Sequence, residues 1–340
     1  MDLENYRGKG LSGIVNFGNT CYMNTAVQCL SNIPILTQYF KSKNFIKDLK
    51  NKSLERNIIV QWYKLIDGLW SSNCIVSPQS FRREVKILAL KQGVYMNFVG
   101  NGQNDVQEFL VFIIDSMHNG LSKNVNMVIS GSVENELDKC ALEAMKNWKL
   151  FFKDNYSIFV DLFYSQTSQT IYDLNGKSLS TTYQPSCFYT LPIDSNSKTL
   201  YDCFDNFTSK EKLDGDNKWL NEKTNEYIEV YKKINFWKLP KILIVVLKRF
   251  NNDEEKINNL IKFPFELDLC KYCVGYSKNK YKYNLISVAN HNGSLNGGHY
   301  YSYVLNLNGN WYNYNDTNVS KMEKDNVITQ SAYCLFYQLK

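Results

Sequence analysis

Cys21, His299 and the adjacent Asn315 and Asp316 are the side chains whose types and settings allow chemistry in concert. They offer a thiol nucleophile, an imidazole that can carry its proton, and an amide or carboxylate that can hold the imidazole. Cys21 stands in VNFGNTCYMNTAVQCL, residues 15–30, where Met23, Ala26, Val27 and Leu30 recur at helical spacing. That spacing predicts a helix starting at or just before the cysteine. At such a start the free amides and the positive end of the dipole favour thiolate over thiol. The preceding turn, Asn16 to Thr20 with Gly18 inside it, brings amides close to a ligand, so the Cys21 N–H and the Asn16 side chain can hold an oxyanion. A buried core cysteine is the competing reading. His299 follows Gly297 and Gly298, which leave room for a substrate backbone, at the mouth of a strand. Asn315 and Asp316 close the strand-like WYNYND, and either can accept from the second imidazole nitrogen. The other histidines read differently. His118 ends a helical stripe, as a capping or surface residue, and His291 lies in a polar loop, with a loop or substrate-edge role.

The elements that must position these groups divide the chain in two. Ile58, Ile59, Trp62, Leu65, Ile66 and Leu69 form one helical stripe, Phe81, Val85 and Leu88 a second, and Val106, Phe109, Leu110, Ile113 and Met117 a third after the Gly100-Asn101-Gly102 break. Asp105 and Glu108 share a face at the start of that third helix, where acids complement the dipole. Residues 122–155 are polar and weakly periodic, a connecting helix or an insertion. From Val160 to Ile193 the text alternates around Asn175-Gly176, a hairpin signal. KILIVVLKRF, residues 241–250, is a buried strand, and strand patterns recur at 281–289, 298–305, 311–315 and 332–338. Helices first and strands afterwards predict an α+β fold with a cleft between a helical lobe and a sheet lobe.

Composition narrows the class. The 340 residues are 44% hydrophobic and 21% charged, enough for a substantial core. No apolar run approaches the ~20 residues of a membrane span, and no secretory signal opens the chain, so neither a membrane nor an export role is expected. Nine scattered cysteines, an odd number, predict reduced thiols and an intracellular, cytoplasmic protein. The net charge of +6 is dispersed, unlike a nucleic-acid footprint.

These parts converge on a family. Residues 10–24, with Asn16, Gly18 and Cys21, resemble the cysteine box of the ubiquitin-specific proteases, and QNDVQEFL at 103–110 is similar to their QQDAQEF segment. Leu247-Lys248-Arg249-Phe250, Gly298-His299-Tyr300, Trp311-Tyr312 with Asn315-Asp316, and Ala332 to Tyr337 match the later blocks in order. The resemblance implies a papain-like fold of thumb, palm and fingers: a lead-in over 1–10 and one catalytic domain over 11–340, with a helical thumb to about 155 and β-rich fingers and palm from about 156. It implies Cys21 as nucleophile, His299 as general base, Asn315 or Asp316 as third member and Asn16 in the oxyanion hole. It further implies a substrate site of Gln103, Asp105, Glu108, His291, Gly297, Gly298 and Tyr300, in which Asp105 and Glu108 receive arginines of the ubiquitin tail. Ubiquitin and ubiquitinated proteins are the expected partners of a monomeric enzyme without a cofactor. Two alternatives stay open, the same chemistry on another ubiquitin-like modifier and a catalytically silent ubiquitin-binding scaffold.

One departure is visible. The family's fingers hold zinc on two CxxC pairs, where this chain reads SQTIYDLNG and NKWLNEKTN. Cys270 and Cys273 fall in the palm. Metal-free fingers are expected, with Phe163, Ile171, Tyr172, Leu174, Leu179 and Trp219 packing in place of the ion.

Overall fold

A computed structural model describes residues 6–250, 255–294 and 297–340. The helix Cys21–Ser31 begins at the cysteine and is buried along its whole length. The helix Val106–Leu121 packs on it, Arg56–Ser71 packs on Val106–Leu121, and Gln79–Gln92 packs on Arg56–Ser71, burying the predicted stripes. Residues 122–155 contain the helix Glu136–Phe152, started by a capping box between Asn135 and Asp138.

The sheet lobe is dominated by a sheet of eight strands among the described residues. Its order runs Asn318–Met322, Trp311–Asn315, Gly297–Leu305, Lys282–Ser294, Ala332–Leu339, Ile242–Lys248 and Tyr189–Pro192, with Glu266–Asp268 paired to Lys282–Ser294. Ile242, Ile244 and Val246 face the helical lobe with Cys334 and Phe336, while Leu243, Val245 and Leu247 face a second core with Leu335 and Tyr337. Burial on both faces is why residues 242–247 read as a continuous apolar run. A second sheet pairs Ser165–Tyr172 with Ser178–Ser186 and Val230–Lys238, and the latter with Lys210–Leu213. The hairpin turns where expected: Gly176 takes a positive φ, and Asp173 Oδ1 accepts from the Asn175 and Lys177 amides.

Three expectations are corrected. Residues 158–163 form a short helix, because the Ser157 hydroxyl accepts from the Phe159 amide and four apolar side chains sink into the core. Phe163 therefore packs in the core of the helical lobe, against Phe159, and Leu174 at the hairpin tip is 55% exposed. His118 is buried: Asn155 Nδ2 donates to its Nε2 at 2.9 Å, and its Nδ1 donates to Ser157 Oγ at 2.8 Å. His291 lies inside the strand Lys282–Ser294, paired with Tyr300, and is buried because that strand sits between Gly297–Leu305 and Ala332–Leu339 and covers Asn290 and His291 alike, with Asn292 to Ser294 exposed beyond them.

The finger segments that resemble zinc-binding positions carry no cysteine, so their donor set does not fit the ion. Among the described residues no three His, Cys, Asp or Glu side chains gather as a metal site. Ion pairs span these strands instead, Lys232 to Glu211 at 2.7 Å and Lys212 to Glu229 at 3.0 Å. Among the described residues no helix is long and apolar enough to cross a membrane.

Candidate active site

The turn before Cys21 is fixed from within. Asn16 Oδ1 accepts from the Thr20 amide at 3.2 Å and from the Thr20 hydroxyl at 3.0 Å, while Thr20 Oγ1 accepts from the Phe17 amide. Asn16 Nδ2 donates to Asp316 Oδ2 at 2.9 Å. An amide has two N–H donors, so this bond orients the group and leaves one to give. Asp316 Oδ1 accepts from Asn24 Nδ2 at 2.8 Å, and the Asp316 carbonyl accepts from the Ile14 amide. Asp316, at φ 52°, therefore stitches the turn after Trp311–Asn315 to the cysteine segment and makes no bond to the imidazole. Asn315 does: His299 Nε2 donates to its Oδ1 at 2.7 Å. The donated proton fixes the tautomer and leaves Nδ1 as the basic nitrogen.

The Cys21 thiol lies against the backbone N–H of Tyr300, one residue past the histidine. Burial pushes this thiol up from its ordinary value and the Asp316 charge adds to that, while the amides of Tyr300, Tyr22 and Cys21 pull the other way. The helix start thus acts as the sequence suggests, but desolvation outweighs it in the free protein.

A cleft of about 570 Å³ reaches Tyr300, the residue after His299, and is lined also by Gln103, Asp105, Glu108 and His291 from the sequence-predicted set. Tyr95, Asn97, Phe250 and Ser294 are among its other walls. Of these only Phe250 lies in a segment singled out in the sequence; Tyr95 and Asn97 precede the Gly100 break with no periodic signal. Gln103 bridges the two halves, its Oε1 accepting from the Gly298 amide at 2.6 Å and its Nε2 donating to Asn19 Oδ1 at 3.5 Å. Gly298 must be glycine here, since a Cβ would stand 2.2 Å from His291 Nε2. The His291 ring lies tilted against Tyr300, centroids 4.5 Å apart, and burial, with the Lys256 charge, lowers it to about 4, so it stays neutral. Glu108 is exposed in the cleft and accepts from Asn97 Nδ2 at 2.8 Å. Asp105 is already engaged: Oδ1 accepts from the Gln107 and Glu108 amides at 2.6 and 3.2 Å, and Oδ2 from the Tyr300 and Tyr333 hydroxyls at 3.1 and 2.8 Å.

Comparison with known proteins places the chain in a family. Residues 12–337 match the family model described as Ubiquitin carboxyl-terminal hydrolase. Ubiquitin carboxyl-terminal hydrolase 2 of Bos taurus is 34% identical over 346 residues, 97% of this chain and 55% of the relative. Ubiquitin carboxyl-terminal hydrolase 4 of Saccharomyces cerevisiae is 30% identical over 358 residues, 96% of this chain and 39% of the relative. Among solved structures, the SAGA Ubp8/Sgf11/Sus1/Sgf73 DUB module bound to ubiquitin aldehyde superposes with a TM-score of 0.73 at 26% identity, covering 98% of this chain and 70% of that one. The chain spans about half the length, or less, of these curated relatives.

Proposed function

The chain belongs to the ubiquitin carboxyl-terminal hydrolase family, in its ubiquitin-specific protease branch, and on that premise we propose that it is a deubiquitinating thiol protease. Its mixed helix-and-sheet architecture is the papain-like fold of that family. The observation that carries the activity is the pairing of His299 Nε2 with Asn315 Oδ1, with the Cys21 thiol against the next residue's amide. The reaction follows from the atoms. His299 Nδ1 takes the Cys21 proton, and the sulfur adds to the carbonyl carbon of the modifier's C-terminal glycine. The resulting oxyanion receives the Cys21 N–H and the second N–H of Asn16. Collapse breaks the C–N bond, the imidazolium hands its proton to the departing lysine amine, and a thioester remains. Water, deprotonated at Nδ1, then hydrolyses it and restores the thiol.

Glu108, Gln103, His291 and the glycines Gly297 and Gly298 border the path of the modifier's tail. Every group of the machinery comes from one chain, which supports a working monomer. The nine unbridged cysteines support an intracellular, cytoplasmic setting. Probes bearing a C-terminal electrophile, one on ubiquitin and one on each other Gly-Gly-terminated modifier, test the reading. Covalent capture of the ubiquitin probe alone, abolished by Cys21→Ala, is the expected outcome. Capture of a different modifier transfers the activity to that substrate, and binding without capture makes the chain a scaffold.

A further inference from the structure

The Asp105 carboxylate has about four acceptor positions, and four donors of this chain fill them. Two belong to the first turn of its own helix, where Asp105 is the N-cap. The other two come from the sheet lobe, Tyr300 on the strand that carries His299 and Tyr333 on the strand Ala332–Leu339. Two residues earlier, Gln103 holds the Gly298 amide. The segment leading into the helix Val106–Leu121 thus grips the histidine strand immediately before and immediately after His299. We propose that Asp105 is a positioning residue, a brace between the lobes that sets His299 against Cys21, and that it does not receive an arginine of the substrate tail. An incoming guanidinium would have to displace two buried phenols. Burial and the Asp105 charge hold both hydroxyls well above the ordinary tyrosine range, so they stay protonated as donors. Glu108, exposed in the cleft one turn on, is left as the carboxylate open to a cation.

This inference rests on the proposed hydrolase reading, and two assays keep the two apart. The first is steady-state hydrolysis of ubiquitin carrying a C-terminal fluorogenic amide. Asp105→Ala should lower kcat about 10- to 100-fold with KM within twofold. The double change Tyr300→Phe with Tyr333→Phe should do the same, and adding Asp105→Ala to it should cost little more, because all three remove one brace. Asp105→Asn keeps the helix cap and can donate to the reoriented phenols while losing its charge, so it should retain most of kcat with KM unchanged. The second assay is independent of any modifier: the rate of Cys21 alkylation by iodoacetamide, read by peptide mass against pH. Its apparent pKa should shift by the same amount in Asp105→Ala and in the double phenylalanine variant, at melting temperatures close to wild type. If wild type fails on ubiquitin but the alkylation shift appears, the hydrolase reading falls and the brace stands. If Asp105→Asn raises KM as much as Asp105→Ala does, and the phenylalanine pair matches wild type in kcat and in alkylation, Asp105 is a substrate carboxylate and the brace is overturned.

Discussion

Removal of the Asn315 amide is the sharpest test of how the imidazole is held. His299 Nε2 donates to Asn315 Oδ1 at 2.7 Å in a half-buried setting, and the imidazole must become imidazolium as the thiol reacts. A hydrogen bond to a group that turns cationic is worth about 1.5–3 kcal/mol. Asn315→Ala should therefore lower kcat by roughly 10- to 100-fold, at about 1.4 kcal/mol per decade. KM should barely change, since Asn315 does not line the cleft. The assay is hydrolysis of a fluorogenic ubiquitin amide across pH 5–10, with Asp316→Asn alongside. Asp316 raises the Cys21 thiol through its charge, so neutralising it should move the thiol's acid limb to lower pH. It should also lower the plateau, because Asn16 loses its charged anchor. Asn315→Ala should displace the histidine limb instead. If Asp316→Asn shifts the histidine limb while Asn315→Ala leaves both limbs and kcat near wild type, the third member is Asp316 and the geometric assignment is wrong.

Four further outcomes are expected. Cys21→Ala should abolish turnover and probe capture with the thermal transition nearly unchanged; capture surviving at another cysteine would remove Cys21 as nucleophile. Glu108→Gln should raise KM for ubiquitin about 3- to 10-fold with kcat intact, a range kept low by the exposure of the site, and a fall in stability alone would reduce Glu108 to a helix acid. His118 is lowered from 6.5 to about 4 by burial and the Lys50 charge. The unfolded state therefore binds its proton first, and the stability that neutral His118 contributes is complete above pH 6.5 and lost as pH falls toward 4. This contribution is on the order of 3 kcal/mol, and His118→Gln should flatten the urea midpoint over that window relative to wild type. A strong chelator should leave activity and melting temperature untouched; one zinc per chain released by Cys270→Ser would place a metal in the palm.

Legibility in the sequence followed how local each signal was. Cys21, Asn16 and the helix start are neighbours in the text, and the helical stripes announced their buried faces through spacing alone. The strand at 242–248 was readable because both its faces are buried. His118 and His291 were misread because their burial comes from distant partners, Asn155 and Ser157 for one and Tyr300 and Phe250 for the other. The short helix 158–163 was lost inside alternating text, where a single capping serine outweighed β-branched neighbours. Asp105 was legible as an acid at a helix start, but its partners lie 195 and 228 positions away. Which of Asn315 and Asp316 meets the imidazole depends on the turn that begins at Asp316, a backbone choice invisible in composition.

The all-buried helix Cys21–Ser31 packs against the strands Gly297–Leu305 and Lys282–Ser294, which come from the opposite end of the chain. On the ribosome, this helix is made well before the strands that cover it. At ~5–20 residues per second the helix waits about 15–60 s with no finished surface to sink into. Cys21 and Cys29 stay open to oxidants and to wrong partners for that interval. The groups proposed to react are thus brought together only after the strands Gly297–Leu305 and Trp311–Asn315 have been made, so a nascent product that stops short of them carries the thiol without the imidazole.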